Sequence, residues 1–238
     1  MTAALLRSLH VPGTPLVLPN AWDAGTARLV VEAGFPVVAT TSAAVAESLG
    51  HADHHGAPAA EMFAAAARIV RAVDVPVTVD AESGYGLPPA EFAERLVATG
   101  AVGCNLEDTD HASGGLTPVA DQADYLAALR AAEPDLVINA RVDVFVGAAD
   151  QEAVLDEAVE RARAYLAAGA DCVYPILVRS AAVLKSLVDA VDAPVNATLL
   201  PGMTIAELAS AGVARISLGP GLWRLTQATL RERLANLT

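Results

Sequence analysis

The stretch DVPVTVDAESGYGLPPAEFAERLVATGAVGCNLE, Asp74–Glu107, decides the fold. It opens on a short apolar run, Pro76–Asp80, that breaks into the polar turn Asp80-Ala81-Glu82-Ser83-Gly84-Tyr85-Gly86. Pro89–Ala98 then carries its apolar residues on one helical face, and Gly100 ends it. A second apolar run, Val102–Glu107, follows at once. Strand, helix and strand within one such stretch form a βαβ unit, whose strands must lie parallel.

Outward in both directions the unit repeats. The other apolar runs are Leu16–Pro19, Pro36–Thr41, Leu136–Arg141, Cys172–Ile176, Pro194–Ala197 and Arg215–Leu218. Helical patterns separate them at Ala24–Ala33, Ala59–Ala72, Val119–Ala132, Gln151–Ala168, Ala181–Ala190 and Thr204–Ala211, with Leu222–Leu234 after the last run. Glycines 34, 100, 169 and 212 close helices cheaply in the left-handed cap, and Pro36, Pro76 and Pro194 open strands. Eight alternating pairs predict an α/β fold, a parallel eight-stranded (β/α)₈ TIM barrel. No linker or composition shift divides residues 1–238, which read as a single domain.

Composition agrees. Of 238 residues, 54% are hydrophobic and only 4% aromatic, the palette of helices packed on a buried parallel sheet. A net charge of −13 leaves no basic stripe for phosphates and excludes a nucleic-acid partner. No run approaches the roughly 18 apolar residues of a membrane span, and Met1–Gly13 lacks the pattern of a secretory signal. The expectation is a cytoplasmic protein with no membrane partner. Cys104 and Cys172 lie in apolar runs and read as buried thiols, not a disulfide framework. Lys185, inside the sixth of these helices, is the one lysine, so Schiff-base chemistry at a barrel mouth is excluded.

In such a barrel the chemistry sits where strands run into the following loops. Polar residues collect there: Asn20, Trp22 and Asp23; Thr40, Thr41 and Ser42; Asp80 and Glu82; Glu107 and Asp108; Asn139, Arg141 and Asp143; and Asn196. Strand pleat puts Asn105 and Glu107 on one face and Cys104 on the other, which makes Cys104 a poor nucleophile. Asp80, Glu82 and Glu107, with Asp108 nearby, repel one another unless a cation compensates, and hard oxygen ligands suit Mg²⁺ or Mn²⁺. The alternative is that these acids cap helices or bind arginine. Arg141 is placed to grip a substrate carboxylate, or to pair with one of those acids. Gly50–Gly56 reads as a mobile lid whose three histidines, at 51, 54 and 55, are solvated.

Asp80–Gly86, Leu106-Glu107-Asp108 and Asn139-Ala140-Arg141-Val142-Asp143 resemble the ordered signatures of the isocitrate lyase/phosphoenolpyruvate mutase superfamily. So do Trp22-Asp23, Thr41-Ser42, Leu49-Gly50 with Asp53, and Arg215–Gly219. The resemblance implies a Mg²⁺-dependent barrel that makes or breaks a C–C or P–C bond beside a 2-oxo or dicarboxylate group, through an enolate-like species. It implies Asp80, Glu82 and Glu107 as metal ligands, largely through waters. Arg141 and Asp53 join Glu107 as catalytic residues, Asp53 on a gating loop. Trp22, Asp23, Thr41, Ser42, Ala43, Asp80, Arg141 and Asn196 form the substrate pocket, with Trp22 and Asp23 as its floor. It also implies a homo-oligomer, dimer or tetramer, that exchanges its last helix.

Three departures shape the expectation. Glu82 stands where the family has Asp, and Ala43 where it has Gly. The segment Thr109–Leu116 lacks the family's catalytic cysteine, which argues against isocitrate-type cleavage and leaves His111 or Ser113 as the acid. A lyase or decarboxylase on a small carboxylate is therefore expected. A phosphonomutase or phosphonopyruvate hydrolase, and a catalytically silent carboxylate-binding barrel, are the alternatives.

Overall fold

The computed structural model describes residues 2–237, so Met1 and Thr238, the ends of the expected domain, lie outside the description. Its strands are β1 (Leu16–Leu18), β2 (Asn20–Ala21), β3 (Val38–Thr40), β4 (Val77–Asp80), β5 (Gly103–Leu106), β6 (Thr109–Asp110) and β7 (Gly115–Leu116). They continue with β8 (Val137–Val142), β9 (Cys172–Pro175), β10 (Asn196–Thr198) and β11 (Arg215–Ser217). The parallel orders β2-β3-β4-β5-β8-β9 and β1-β11-β10 meet at the parallel bridge Val173–Val195. With β1 and β2 counted as one interrupted strand, eight positions close the TIM barrel. The exception is the small antiparallel pair β6–β7, which sits above the mouth side of β5.

Proline explains both the interruption and two strand starts. Pro19 has no N–H to give the ladder, so β1 pairs with β11 and β2 with β3. The Asn20 amide staples the seam, donating to the Thr40 carbonyl at 2.6 Å and accepting from Leu218 N–H at 2.9 Å. Pro76 and Pro194 precede their strands, and their carbonyls accept Val38 and Val173 N–H groups respectively.

The helices are α1 (Ala3–Ser8), α2 (Ala24–Glu32), α3 (Ser42–Leu49), α4 (Ala59–Val70), α5 (Pro89–Ala98) and α6 (Val119–Ala132). After them come α7 (Leu155–Ala167), α8 (Ala181–Val191), α9 (Ile205–Ser210) and α10 (Gly221–Ala235). Gly34, Gly100, Gly169 and Gly212 all take positive φ just beyond helices, as their positions require. α5 buries Phe92 and Leu96 completely against α6 residues Leu126 and Leu129. Each such side chain contributes roughly 1.5–3 kcal/mol.

Two helices differ from expectation. α1 puts Leu6 among Leu16, Leu18 and Val137 at the barrel base, and Arg7 ties it to Asp171 at 2.6 Å. α3 fills a segment between the second strand and the lid to which the sequence pattern assigns no helix. Its small residues gave a weak periodic signal, and Gly50 closes it at φ 89°. No helix among the described residues is long and apolar enough to cross a membrane.

Candidate active site

A cavity of about 390 Å³ opens where the strands end. Thr41, Ser42, Ala43, Asp53, Asp80, Glu82, Glu107 and Arg141 line it, together with Asn105, His54, His111, Asp143, Tyr174 and Arg224. The barrel thus brings together most of the expected set from five separate stretches of chain. Trp22, Asp23 and Asn196 fall elsewhere. Asp23 caps α2, its carboxylate accepting Thr26 N–H at 2.7 Å. Trp22 meets Trp223 edge-on, ring centres 5.1 Å apart. Asn196 is wholly buried and donates to Ser217 Oγ at 3.1 Å. These three do not line the cavity because a cap, a ring pair and a lumen hydrogen bond hold them.

Asp80 ends β4. Its backbone N–H donates to Thr40 Oγ1, and its Oδ2 accepts from both Ser42 N–H and Ser42 Oγ at 3.0 Å. Ser42 is therefore committed to Asp80 rather than turned to a ligand. Glu82 follows with φ 49°, and Gly84, Tyr85 and Gly86 all take positive φ. A Cβ on Gly84 would lie 2.6 Å from the Tyr125 hydroxyl, so only glycine fits this turn. Glu82 accepts the backbone N–H of His55, and His55 Nε2 lies 3.1 Å from Ser83 Oγ. His54 and His55 sit at φ 62° and 60°. Non-glycine residues in that region cost of order 1–3 kcal/mol each, and they gather at this mouth.

Arg141 is held by three acids. Its Nη2 and Nε meet Asp143 at 2.8 and 3.1 Å, its Nη1 contacts Glu107, and Asp80 lies 4.0 Å away. Burial alone would lower the guanidinium pKa, but Asp143, Glu107 and Asp80 outweigh it and raise it. Burial pushes the Glu82 carboxyl up to about 7; the His55 N–H opposes this, while the Asp53, Asp80 and Glu107 charges add to it. His111 hydrogen-bonds Glu107, which raises the imidazole pKa.

Asp108 belongs to a different cluster. One residue on from Glu107, it faces away from the cavity, wholly buried between Arg161 at 3.1 Å and the Tyr165 hydroxyl at 2.7 Å. It also accepts Asp143 N–H at 2.9 Å, so it anchors the loop that mounts Arg141. Cys104 is fully buried, and burial pushes its thiol up to about 12, in line with a side chain turned to the helices.

A cation would find donors at the mouth. Asp53 Oδ1, Asp80 Oδ1 and Glu82 Oε1 are buried without a hydrogen-bond partner, Asp80 Oδ1 with the Arg141 guanidinium only at 4.0 Å, a costly state for carboxylates unless something positive joins them. The tightest ligand groupings pair these acids with imidazoles: Glu107 with His54 and His111, and Glu82 with His55 and His111. Asp80 joins neither, so Asp80, Glu82 and Glu107 are not gathered on one point by direct contact. Of the three lid histidines, His54 stays solvent-exposed and His51 pairs with Glu61, whereas His55 packs against the mouth with its ring 4.5 Å from that of His111. The one available signal was charge: a lid closing over carboxylates favours residues that donate to them.

The chain is 45% identical to a crystal structure from Burkholderia cenocepacia J2315, provisionally named a phosphonomutase, with a TM-score of 0.94 over 98% of this chain and 99% of that one. It is 31% identical to the 2-methylisocitrate lyase of Bacillus subtilis strain 168, over 83% of this chain and 67% of the lyase. It is also 34% identical to the oxaloacetate decarboxylase of Rhodopseudomonas palustris, over 80% and 68% of the two chains. The description "phosphoenolpyruvate phosphomutase" heads the family whose sequence model matches residues 6–238, and by this near-complete match the chain belongs to that family.

Proposed function

We propose that the chain is a divalent-metal-dependent enzyme that cleaves a C–C bond beside a 2-oxo or dicarboxylate group, as a lyase or decarboxylase. The observation that carries this reading is the set of unpartnered carboxylate oxygens on Asp53, Asp80 and Glu82 around a cavity that also holds Arg141. Membership of a family of lyases, mutases and hydrolases supports an enzyme. The relatives named above differ in reaction, so the substrate class rests on the cavity.

Asp80, Glu82 and Glu107 would hold Mg²⁺, and the adjacent imidazoles widen the choice toward Mn²⁺. When bound, the ion supplies Lewis acidity toward a substrate oxygen. Thr41 precedes α3 without capping it, so the Ala43 amide in the first turn is free to meet a carboxylate oxygen. Arg141, clamped by Asp143, presents a fixed guanidinium to charge that develops on the substrate. Asp53 and His54 close the lid side. His111, hydrogen-bonded to Glu107, takes the place of the missing cysteine as proton donor. Cleavage of the isocitrate type is not proposed, because Thr109–Leu116 forms the β6–β7 hairpin without a cysteine.

The enzyme would act in the cytoplasm, in keeping with two free, buried cysteines. It would do so as a homo-oligomer, since α10 buries none of its own residues and exposes Leu225, Leu230 and Leu234. The test is turnover of oxaloacetate, 2,3-dimethylmalate and phosphonopyruvate with Mg²⁺ present. Turnover of a carbon acid that EDTA abolishes and Mg²⁺ or Mn²⁺ restores is expected. Exclusive turnover of phosphonopyruvate would move the chain to P–C chemistry. Tight oxalate binding with no turnover would favour a non-catalytic barrel.

A further inference from the structure

Asn105 lines the cavity from β5 and is 4% exposed. Its Oδ1 accepts two hydrogen bonds, from Arg215 Nη2 at 3.0 Å and Asn139 Nδ2 at 2.8 Å. A guanidinium carries donors only, so the Asn105 oxygen must face Arg215 and its NH₂ must face the opposite way. Among the described residues no protein group accepts from that NH₂, and it is not one of the sealed, unpartnered atoms. It therefore opens onto the cavity.

Arg215 is fixed in place. It is wholly buried at the start of β11, pairs with no carboxylate within 4.0 Å among the described residues, and leaves Nε and Nη1 without partners. A cation so enclosed cannot swing out, and any acceptor within reach is held to it.

We propose that Asn105 is a substrate-contacting residue whose NH₂ donates to a carboxylate oxygen of the bound acid. Arg215 is the positioning residue that locks this amide from below. The inference rests on the reading of the cavity as a site for a small carboxylate with a divalent ion. Asn105→Asp separates this role from a structural one. The new carboxylate keeps one oxygen on Arg215, relieving the unpaired buried charge, and turns an anionic acceptor toward the cavity.

The experiment measures thermal unfolding of the free protein, and oxalate binding by calorimetry with Mg²⁺ present, for the wild type, Asn105→Asp, Arg215→Met and Arg215→Lys. Asn105→Asp is expected to raise Tm by a few degrees while weakening oxalate about tenfold or more. Arg215→Met is expected to lose no Tm, since a buried unpaired charge is removed, yet to weaken oxalate by a similar factor. Arg215→Lys keeps a donor to Oδ1 and should restore affinity to within about threefold. Wild-type affinity in Asn105→Asp, or parallel loss of stability and affinity, overturns the proposal. A wild type that ignores oxalate overturns the reading of the cavity itself, and this inference with it.

Discussion

The two ends of the barrel lumen have opposite deficits. At the mouth, acceptors lack donors: Asp53 Oδ1, Asp80 Oδ1 and Glu82 Oε1 are buried and unmatched. At the base the unmatched charge is a donor-only cation: Arg215 Nε and Nη1 are buried without acceptors, beside a neutral His10 whose donor and acceptor nitrogens are both unpartnered. The mouth adjoins a cavity, so a ligand that comes and goes can satisfy it. The base is closed, with Arg215 at 0% and His10 at 7% exposure, so its imbalance is a lasting cost. An unmet polar group therefore marks a binding site only where a visitor can reach it. Asn105 touches both worlds, oxygen down and nitrogen up.

The sharpest way to break this contrast is Glu107→Gln. At the mouth, losing one acid should lower metal-dependent turnover by about a hundredfold or more with little change in thermal unfolding. Steady-state kinetics beside a melting curve reads both, and unchanged turnover would remove the mouth from the chemistry. Next in size is Arg161→Met, which strips Asp108 of its ion pair outside the lumen. Loss of about 3 kcal/mol by urea unfolding is expected, because that charge is sealed and no ligand can replace its partner. A loss near zero would show that sealed charges in this barrel are already neutral.

The smallest effect concerns His10. Burial, with the Arg215 charge next, lowers its pKa to about 3 from an ordinary 6.5. The folded state thus refuses a proton that the unfolded chain accepts. The associated stability is complete above about pH 6.5 and drains away as pH falls toward 3. His10→Leu should therefore gain more at pH 4.5 than at pH 7, read from urea midpoints. Equal gains at both values would mean that the base is wetter than it looks.

Much of this was legible in the sequence for identifiable reasons. Strand–helix alternation and the four capping glycines follow local rules, so the eightfold barrel could be read directly. Pleat parity placed Glu107 and Cys104 on opposite faces, and the structure agrees. The same parity, carried one residue further, would have sent Asp108 away from the mouth, where it pairs with Arg161. Trp22, Asp23 and Asn196 were harder, since a helix cap, a ring pair and a lumen hydrogen bond give no signal in spacing alone. In the histidine lid His54 keeps the solvation that is the ordinary fate of loop imidazoles, and the departure is His55. Its approach depends on left-handed backbone at His54 and His55, which no local preference announces. α3 escaped notice because a run of alanine and serine has almost no amphipathic contrast.

The seam at Pro19 has a consequence for how the molecule is made. β1 finds its ladder in β11, Leu16 against Arg215, so the strand of this barrel that is made earliest waits for the one made latest. Such distant pairing is slow, and the nascent chain must carry an unzipped edge until β11 has been made. Chains stalled before Arg215 should leave Leu16–Leu18 open to protease, and release of the full chain should close it.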